Sequence, residues 1–322
     1  KNWPAHGDVS QGQDYYLAPF YDFNGDGHYH WEDGDFPWYD IKKTKACSID
    51  RSVALYGDQN FWWVMNDKGN IHTETGADPI GMEIRAQAFA FASNDEINNM
   101  TFYNYELINR GTQTLYNTYF GFFTDGALGD PYDDYVGCDV NRGLGYYYNG
   151  DNYDGDNSGY KGYGYSPPAV GVDFFEGPYQ DNDNIDNAFG IGDNEALNGI
   201  GYGDGVVDNE RFGMRRFLYY SNTTNGANPN QTDPTNASDY YNYLRGFWKD
   251  GSKFVYGGSG HISDPEADPN TPCEFMFPGN TDPLGWGTNG VPQPVWTEQT
   301  ANNTPNDRRF VQSAGPFVLK PG

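Results

Sequence analysis

The sequence has few basic residues, few cysteines and no long apolar run. Lys and Arg together number 19 against 45 Asp and Glu, and the formal net charge at pH 7 is −26. A chain this acidic repels phosphates and anionic lipid headgroups, so nucleic acid and anionic membrane surfaces are poor partners. The sequence contains no apolar run near the roughly 20 residues that span a bilayer, so we expect no transmembrane segment.

The 3 cysteines form no pattern that binds metal. Cys47, Cys138 and Cys273 are far apart, without a C-x-x-C pair or a zinc spacing. At most one disulfide bond can form among them, and the sequence leaves the pairing open. Motifs for a serine nucleophile, a phosphate-binding loop or a dinucleotide site are missing too, so we predict no enzymatic activity.

Aromatic residues, in contrast, are abundant. The chain contains 27 Tyr, 21 Phe and 8 Trp among 322 residues, which is too many for a disordered acidic polymer. A chain of this length can bury a substantial core. The remaining composition, rich in Asn, Asp, Gly and Tyr, is typical of extracellular β-proteins with long loops.

Alternating side chains predict strands in preference to helices. Residues 61–65 form an aromatic run, and residues 84–92 alternate small and larger side chains with a period of two. The runs 100–109 and 114–124 flank a short turn, and we predict that they pair as a long hairpin. One helix is predicted over 238–245. The expected fold is mainly β, with an antiparallel β-sandwich core, long calcium-stabilised loops rich in Asp, Asn and Gly, and little helix.

The two ends of the chain differ in pattern. Residues 1–60 are rich in turns, whereas dense strand signals begin at residue 61. We therefore expect a turn-rich segment over 1–60 and a β-sandwich-like body over 61–322, with a single domain as the alternative. Residues 315–322 have the pattern of a strand and a turn, and we expect the chain to be a fragment of a longer protein.

The most specific motif is the acidic loop over residues 22–33. Calcium-binding loops of 12 residues place oxygen ligands at positions 1, 3, 5, 7 and 12, with Gly at position 6. The residues at the ligand positions here are Asp22, Asn24, Asp26, His28 (through its carbonyl) and Asp33. The last ligand is Asp, so the loop resembles the dockerin version more than the EF-hand version. The alternative is a solvated turn, which the same residue types favour. We predict that this loop binds Ca²⁺.

Further acid-rich stretches extend this prediction to two or more calcium ions. The next candidate ligands are Asp181, Asp183, Asp186, Asp204, Asp208 and Glu210. Residues 204–210 resemble the second half of a calcium loop, although Ile200 and Tyr202 occupy the places of the earlier ligands. Two more groups of acids, within 125–139 and 151–156, are as consistent with solvated turns as with metal sites. Bound metal would offset part of the entropy lost on ordering such long loops.

Four blocks of sequence carry a family resemblance. They are Asp58–Asp67, Asn98–Tyr105, Asp133–Asp139 and Asp204–Gly213. These blocks resemble the N-terminal region of very large secreted proteins of Bacteroidota, which usually carry a C-terminal type IX sorting domain. The resemblance covers nearly the whole chain and implies a location outside the cell or on its outer surface. No activity is established for that group, so the resemblance implies no catalytic residue.

Together, these features predict a calcium-binding structural or adhesive module of a secreted or cell-surface protein. One alternative is a subunit of an extracellular filament or sheath, whose partner would be another copy of the chain. Another is a polysaccharide-binding module or a glycan-active enzyme. In that case Trp31 and Trp38, on either side of the end of the acidic loop, would hold an extracellular glycan, and the pair Asp173 and Glu176 would act on it.

Overall fold

The computed structural model describes residues 1–38, 56–69, 71–222 and 227–322. The chain divides into two compact units: a first unit of Lys1–Leu115 with Leu319–Gly322, and a second unit of Tyr116–Val318. Among the described residues, strands are far more frequent than helices, and they pair in antiparallel sheets. The predicted mainly β fold is therefore confirmed, and the β-sandwich arrangement stays a prediction.

In the first unit, a three-stranded sheet has the order β3–β4–β5, and a short pair joins β1 to β2. The strands are β1 (Phe20–Tyr21), β2 (Phe36–Pro37), β3 (Gln59–Asn66), β4 (Met82–Ala90) and β5 (Thr101–Asn109). The central strand β4 carries the predicted alternation of small residues. Ala86 lies opposite Trp63 on one side and Tyr105 on the other, and it is completely buried. A small residue at the centre lets bulky neighbours on adjacent strands cover the sheet.

The second unit contains two three-stranded sheets, with the orders β11–β8–β7 and β14–β17–β6, and smaller two-stranded pairs. The strands after β5 are β6 (Leu115–Asp125), β7 (Asp134–Asp139), β8 (Leu144–Asn149), β9 (Tyr153–Asp154), β10 (Gly164–Tyr165), β11 (Ala169–Asp173), β12 (Gly199–Ile200), β13 (Arg211–Phe212), β14 (Arg216–Ser221), β15 (Val255–Gly257), β16 (Ala267–Pro272) and β17 (Arg308–Leu319).

Aromatic side chains from these two sheets form the core of the second unit. The ring of Phe310 on β17 lies 4.9 Å from that of Tyr147 on β8 and 5.1 Å from that of Phe217 on β14, between centroids. A Cβ atom on Gly145 would come within 2.8 Å of the Phe217 ring and 2.9 Å of the Phe310 ring. Only glycine allows the β8 backbone to approach the rings this closely.

The long hairpin predicted over 100–124 is wrong, although both runs form strands. β5 pairs along its whole length with β4, and β6 lies beside β17 in a different sheet. Asn109 ends β5 by donating from Nδ2 to the carbonyl of Gln113, at 2.8 Å, and of Leu319, at 3.0 Å. The turn is present, but the strands that flank it find partners elsewhere in the chain.

The predicted helix over 238–245 is confirmed as α1 (Ala237–Arg245). The Asn236 side chain accepts the backbone N–H of Asp239 at its start, and Gly246 ends it with a φ of 82°. The short 3-10 helices are Val9–Gln11, Trp31–Asp33, Glu96–Asn99, Pro131–Asp133, Pro229–Gln231 and Trp286–Thr288. Within the described ranges, no helix has the length and apolar character that crossing a bilayer requires.

We expect the thiols of Cys138 and Cys273 to resist alkylation in the folded protein. Both cysteines are free, and their exposed fractions are 0% and 1%. Burial raises the pKa of both thiols because a thiolate would lose its hydration. Iodoacetamide labelling followed by peptide mass spectrometry should modify them only in concentrated guanidinium. Rapid labelling of either thiol in native buffer would contradict their placement in the core. Cys47 lies outside the described residues.

Candidate metal-binding loops

The first acidic loop, residues 22–35, curls around the carboxylate of Asp22. Its Oδ1 accepts the backbone N–H of Gly25 at 2.7 Å, and its Oδ2 accepts that of Gly27 at 2.7 Å. Asn24 Oδ1 accepts the N–H of Asp26 at 3.1 Å. Gly25 and Gly27 have φ values of 75° and 78°, in the left-handed region that glycine favours. The alternating polar residues and the glycines therefore produce a tight turn, with their side-chain oxygens on the inside.

The two ends of this loop are joined by Asp35, which the sequence motif does not include. Asp35 is 4% exposed, and its Oδ1 accepts the N–H of Phe23 at 2.9 Å, while Oδ2 accepts that of His30 at 2.8 Å. Asp33, the predicted last ligand, is exposed at the end of the 3-10 helix Trp31–Asp33. Because the 3-10 helix occupies Trp31–Asp33, the carboxylate that bonds the loop is that of Asp35, two residues after the twelfth position of the motif.

A neutral histidine packs beside the loop. His6 Nε2 accepts the N–H of Tyr29 at 2.7 Å, and Nδ1 lies 3.3 Å from the carbonyl of Tyr15. This pairing places the proton on Nδ1, and burial of the ring lowers the pKa of His6. His28 is exposed, its ring nitrogen Nδ1 bonds the hydroxyl of Tyr15, and its N–H donates to Asp26 Oδ1 at 2.8 Å. The aromatic and histidine side chains thus fix the position of the loop backbone.

A second site forms where residues 181–187 meet residues 203–210, and we call it the two-segment acidic cluster. Asp208 Oδ1 accepts the backbone N–H of Asp183 at 2.8 Å. In the opposite direction, Asp186 Oδ1 accepts the N–H of Gly203 at 2.8 Å. Four of the six predicted residues take part in bonds of this kind between the segments: Asp183, Asp186, Asp208 and Glu210. Residues 204–210 resemble the second half of a calcium loop but lack the earlier ligands in their own sequence. In the structure, residues 181–187 lie beside them and place acids there.

The other two predicted residues are placed differently. Asp181 is exposed, and its Oδ1 accepts the N–H of Val318 on β17 at 2.8 Å. Asp204 is exposed within its own segment, where Oδ2 accepts the Nδ2 group of Asn209 at 2.9 Å. The remaining amide oxygen, Asn209 Oδ1, is buried without a hydrogen-bond partner. This amide, absent from the predicted ligands, supplies an unpartnered oxygen beside Asp204.

The donors at both sites suit a hard cation. Carboxylate, amide and carbonyl oxygens are the ligands that Ca²⁺ takes, whereas Zn²⁺ prefers nitrogen and sulfur. None of the ion pairs formed between described residues uses the acids predicted as ligands. Among the same residues, no three His, Cys, Asp or Glu side chains converge closely enough to hold a metal ion. A calcium ion would therefore need amide and carbonyl oxygens in addition to the acids.

The residues predicted to contact glycans differ in their exposure and in their contacts. Trp31 is 47% exposed on the 3-10 helix, with Lys1 Nζ 5.6 Å from its ring centroid. Trp38 is half-buried. Glu176 forms an ion pair with Arg211, whereas Asp173 ends β11. The two carboxylates thus have different surroundings, and their action on a glycan stays a prediction.

Comparisons of the chain with protein-family models, with curated proteins and with solved structures found no match. The functional assignment must therefore come from the chemistry of its residues. That chemistry is concentrated in the acidic loops, where carboxylates organise the backbone and lack basic partners among the described residues.

We expect Asp35→Ala to loosen the first acidic loop. The substitution leaves the N–H groups of Phe23 and His30 without their acceptor, which should lower the free energy of unfolding by about 1–3 kcal/mol. Denaturant titration in EDTA isolates this effect from any bound metal. The matched control is Asp33→Ala, which removes an exposed acid from the same loop and should stay within about 0.5 kcal/mol of the wild type. Equal effects of the two substitutions would contradict the assigned role of Asp35.

Proposed function

We propose that this chain is a calcium-binding structural or adhesive module of a secreted or cell-surface protein. The arrangement of the first acidic loop is the observation that carries the proposal. Asp22, Asn24 and Asp26 lie at alternate positions and turn the backbone by accepting its N–H groups. Asp22 Oδ1 accepts two N–H groups, from Gly25 and Asp26, whereas Asp22 Oδ2 and Asp26 Oδ1 accept one each. The two oxygens that accept one N–H keep a second lone pair that a cation can use.

The two-segment acidic cluster supports the same proposal. Asp208 and Asp183 come from separate parts of the sequence and are joined by the bond from the Asp183 N–H to Asp208 Oδ1. The two segments thereby concentrate several acids, whose like charges repel. Glu210 is 2% exposed and is held in place by the N–H of Asn187, at 2.6 Å from Oε1. A divalent cation would offset the repulsion in this cluster and part of the net charge of −26.

The proposed secreted or surface location rests on the resemblance of four sequence blocks to large secreted Bacteroidota proteins and on the loop-rich β composition. Calcium modules outside cells work at dissociation constants of about 0.1–1 mM, which matches the calcium concentration of that environment. A module of this kind holds its loops in shape while calcium is present. Its partner would be an extracellular glycan, another surface protein or a second copy of the chain.

Calorimetric titration tests the proposal. Calcium added to EDTA-treated, desalted protein should bind with a dissociation constant near the range of extracellular modules, about 0.1–1 mM. Asp22→Ala should remove one binding event. The control Asp8→Ala removes an exposed acid that caps the 3-10 helix Val9–Gln11 in the same unit, and it should bind calcium as the wild type does. Folded protein that takes up no calcium at millimolar concentrations would refute the proposal.

A second candidate function is glycan binding, which the exposed aromatic rings of the first unit favour. Tyr21 on β1 and Phe36 on β2 stack at 4.9 Å, and they are 46% and 49% exposed. Trp31, at 47% exposure, belongs to the same loop. Flat apolar rings with exposed faces suit the C–H faces of sugars. A glycan array read with and without calcium, with Trp31→Ala as the variant, separates this function from protein adhesion. Binding that Trp31→Ala abolishes would support it, and an array without signal would remove it.

A further inference from the structure

Acids that the sequence places in two separate groups meet in the second unit. We call Asp130, Asp133, Asp134 and Asp154 the buried acid cluster. Asp130 is 6% exposed, Asp134 0% and Asp154 1%, and Asp133 is half-buried. Asp154 Oδ1 accepts the backbone N–H of Asp130 at 3.0 Å, which joins the two groups directly. Carboxylates this deep in a protein require a compensating partner.

Three oxygen atoms at this cluster are buried and have no hydrogen-bond donor. They are Asp133 Oδ1, Asp134 Oδ1 and Asn149 Oδ1. Asp134 on β7 lies directly opposite Asn149 on β8, so their side chains share one face of the sheet. Asp134 Oδ2 is already used by the N–H of Leu128 at 3.0 Å, and this bond fixes the orientation of the carboxylate.

The buried amide of Asn149 is a second observation, separate from the acids, that indicates a bound ligand. It is 6% exposed, and its Nδ2 group donates to the carbonyl of Asp151 at 3.3 Å. The amide therefore lies among acids, with its carbonyl oxygen unpartnered on the face that it shares with Asp134. An amide oxygen and a carboxylate oxygen are both acceptors, so they cannot form a hydrogen bond with each other. They can interact favourably only if a proton or a cation lies between them.

No basic side chain offsets these charges among the ion pairs of the described residues. Lys161 pairs with Asp156, which is exposed, and not with a member of the buried acid cluster. Buried carboxylates without a basic partner need a cation or a proton to offset their charge.

We propose that the buried acid cluster is a further calcium site, with Asp133, Asp134 and Asn149 as its side-chain ligands. Two carboxylates and one amide form a mixed set of hard oxygen donors, which suits Ca²⁺. Both oxygens of Asp130 and of Asp154 hold N–H groups, from Tyr132, Asn157, Asp130 and Tyr163. These outer acids position the loops and add negative charge around the ion.

The competing possibility is a proton in place of the ion. A protonated Asp134 would donate to one of the unpartnered oxygens and leave the cluster with less negative charge. Asp134→Asn separates the two, because an amide keeps the size of the carboxyl group and can also donate a hydrogen bond. If Asp134 is protonated, the amide introduced by the substitution can replace its hydrogen bond to the unpartnered oxygens. If calcium is bound, the same substitution removes a charged ligand.

The test is calcium titration by calorimetry at pH 7.5 on the full chain in an Asp22→Asn background, which weakens the first acidic loop. Asp134→Asn should eliminate one calcium ion from the stoichiometry or weaken one dissociation constant at least tenfold. The matched control is Asp156→Asn, which should keep the stoichiometry of the background protein. Circular dichroism confirms that each variant is folded.

A second variant tests the site in case Asp134→Asn does not fold. Asn149→Asp adds a carboxylate, so it should tighten calcium binding at this site and lower the melting temperature in EDTA. Unchanged stoichiometry and affinity in both Asp134→Asn and Asn149→Asp would overturn the proposal. Because the first acidic loop is assayed separately by Asp22→Ala, failure at the buried acid cluster and failure of the proposed function give different results.

Discussion

Replacing Glu298 with Gln is expected to lower the free energy of unfolding by about 3–5 kcal/mol, the cost of leaving one member of a buried ion pair unpaired. Glu298 is 0% exposed and Arg308 is 5% exposed, with Oε2 and Nη2 at 2.8 Å. Gln keeps the shape of the side chain but removes its charge. The guanidinium of Arg308 would remain buried without a counter-charge, beside an amide group that can turn an N–H toward it.

The effect should be large because this pair connects several elements of the second unit. Glu298 Oε1 accepts the N–H of Val136 on β7 at 2.9 Å. Arg308, the first residue of β17, donates from Nη1 to Ser221 Oγ on β14 at 2.7 Å and from Nη2 to the carbonyl of Thr304 at 2.6 Å. Loss of the charge therefore disturbs the contact between two sheets as well as one bond.

Urea denaturation measures this effect. Glu266→Gln is the matched control, because Glu266 is exposed and the same change there should alter the unfolding free energy by about 0.5 kcal/mol or less. A double variant with Met at both 298 and 308 should recover part of the loss, because no buried charge is left unpaired, although the Val136 N–H loses its acceptor. If Glu298→Gln lowers the unfolding free energy by less than about 1 kcal/mol, the pair contributes no more than a surface ion pair, which would contradict its structural role.

Removing calcium is expected to lower the melting temperature and to expose the first acidic loop to protease. Saturation at 100 times the dissociation constant stabilises a protein by about 2.7 kcal/mol. Each kcal/mol corresponds to about 2–4 °C for a unit of 150–250 residues, so EDTA should lower the melting temperature by roughly 5–10 °C. Differential scanning calorimetry and limited proteolysis read the two effects, with new cleavage expected within residues 22–35.

The necessary control is ionic strength. A net charge of −26 is also screened by salt, which could stabilise the protein without any specific site. Calcium added back to the EDTA-treated protein should restore the melting temperature, whereas sodium chloride at equal ionic strength should not. Equal recovery with both salts would assign the effect to screening and not to bound calcium.

Local patterns of the sequence predicted local structure. Alternation over 84–92 corresponds to β4, and the helix predicted over 238–245 corresponds to α1. The hairpin failed because pairing is set by the whole chain. β6 lies beside β17, from the other end of the sequence, and no pattern within 100–124 contains that information.

The candidate sites differ in the same way. The turn around Asp22 is formed within a few residues, so its spacing is visible in the sequence. Asp35 was missed because the 3-10 helix shifts the closing carboxylate two positions beyond the motif. Asn149 at the buried acid cluster was missed because it is not an acid, and only the pairing of β7 with β8 places it opposite Asp134.

The most direct measurement of the central claim is an anomalous difference map from crystals grown in calcium chloride and measured at long wavelength. Calcium held by the acidic loops should give peaks about 2.3–2.6 Å from oxygens of Asp22, Asn24 and Asp26. A second peak should lie between Asp183 and Asp208. Ordered carboxylates at both places that face water without an anomalous peak would contradict the claim that divalent cations hold these loops in shape.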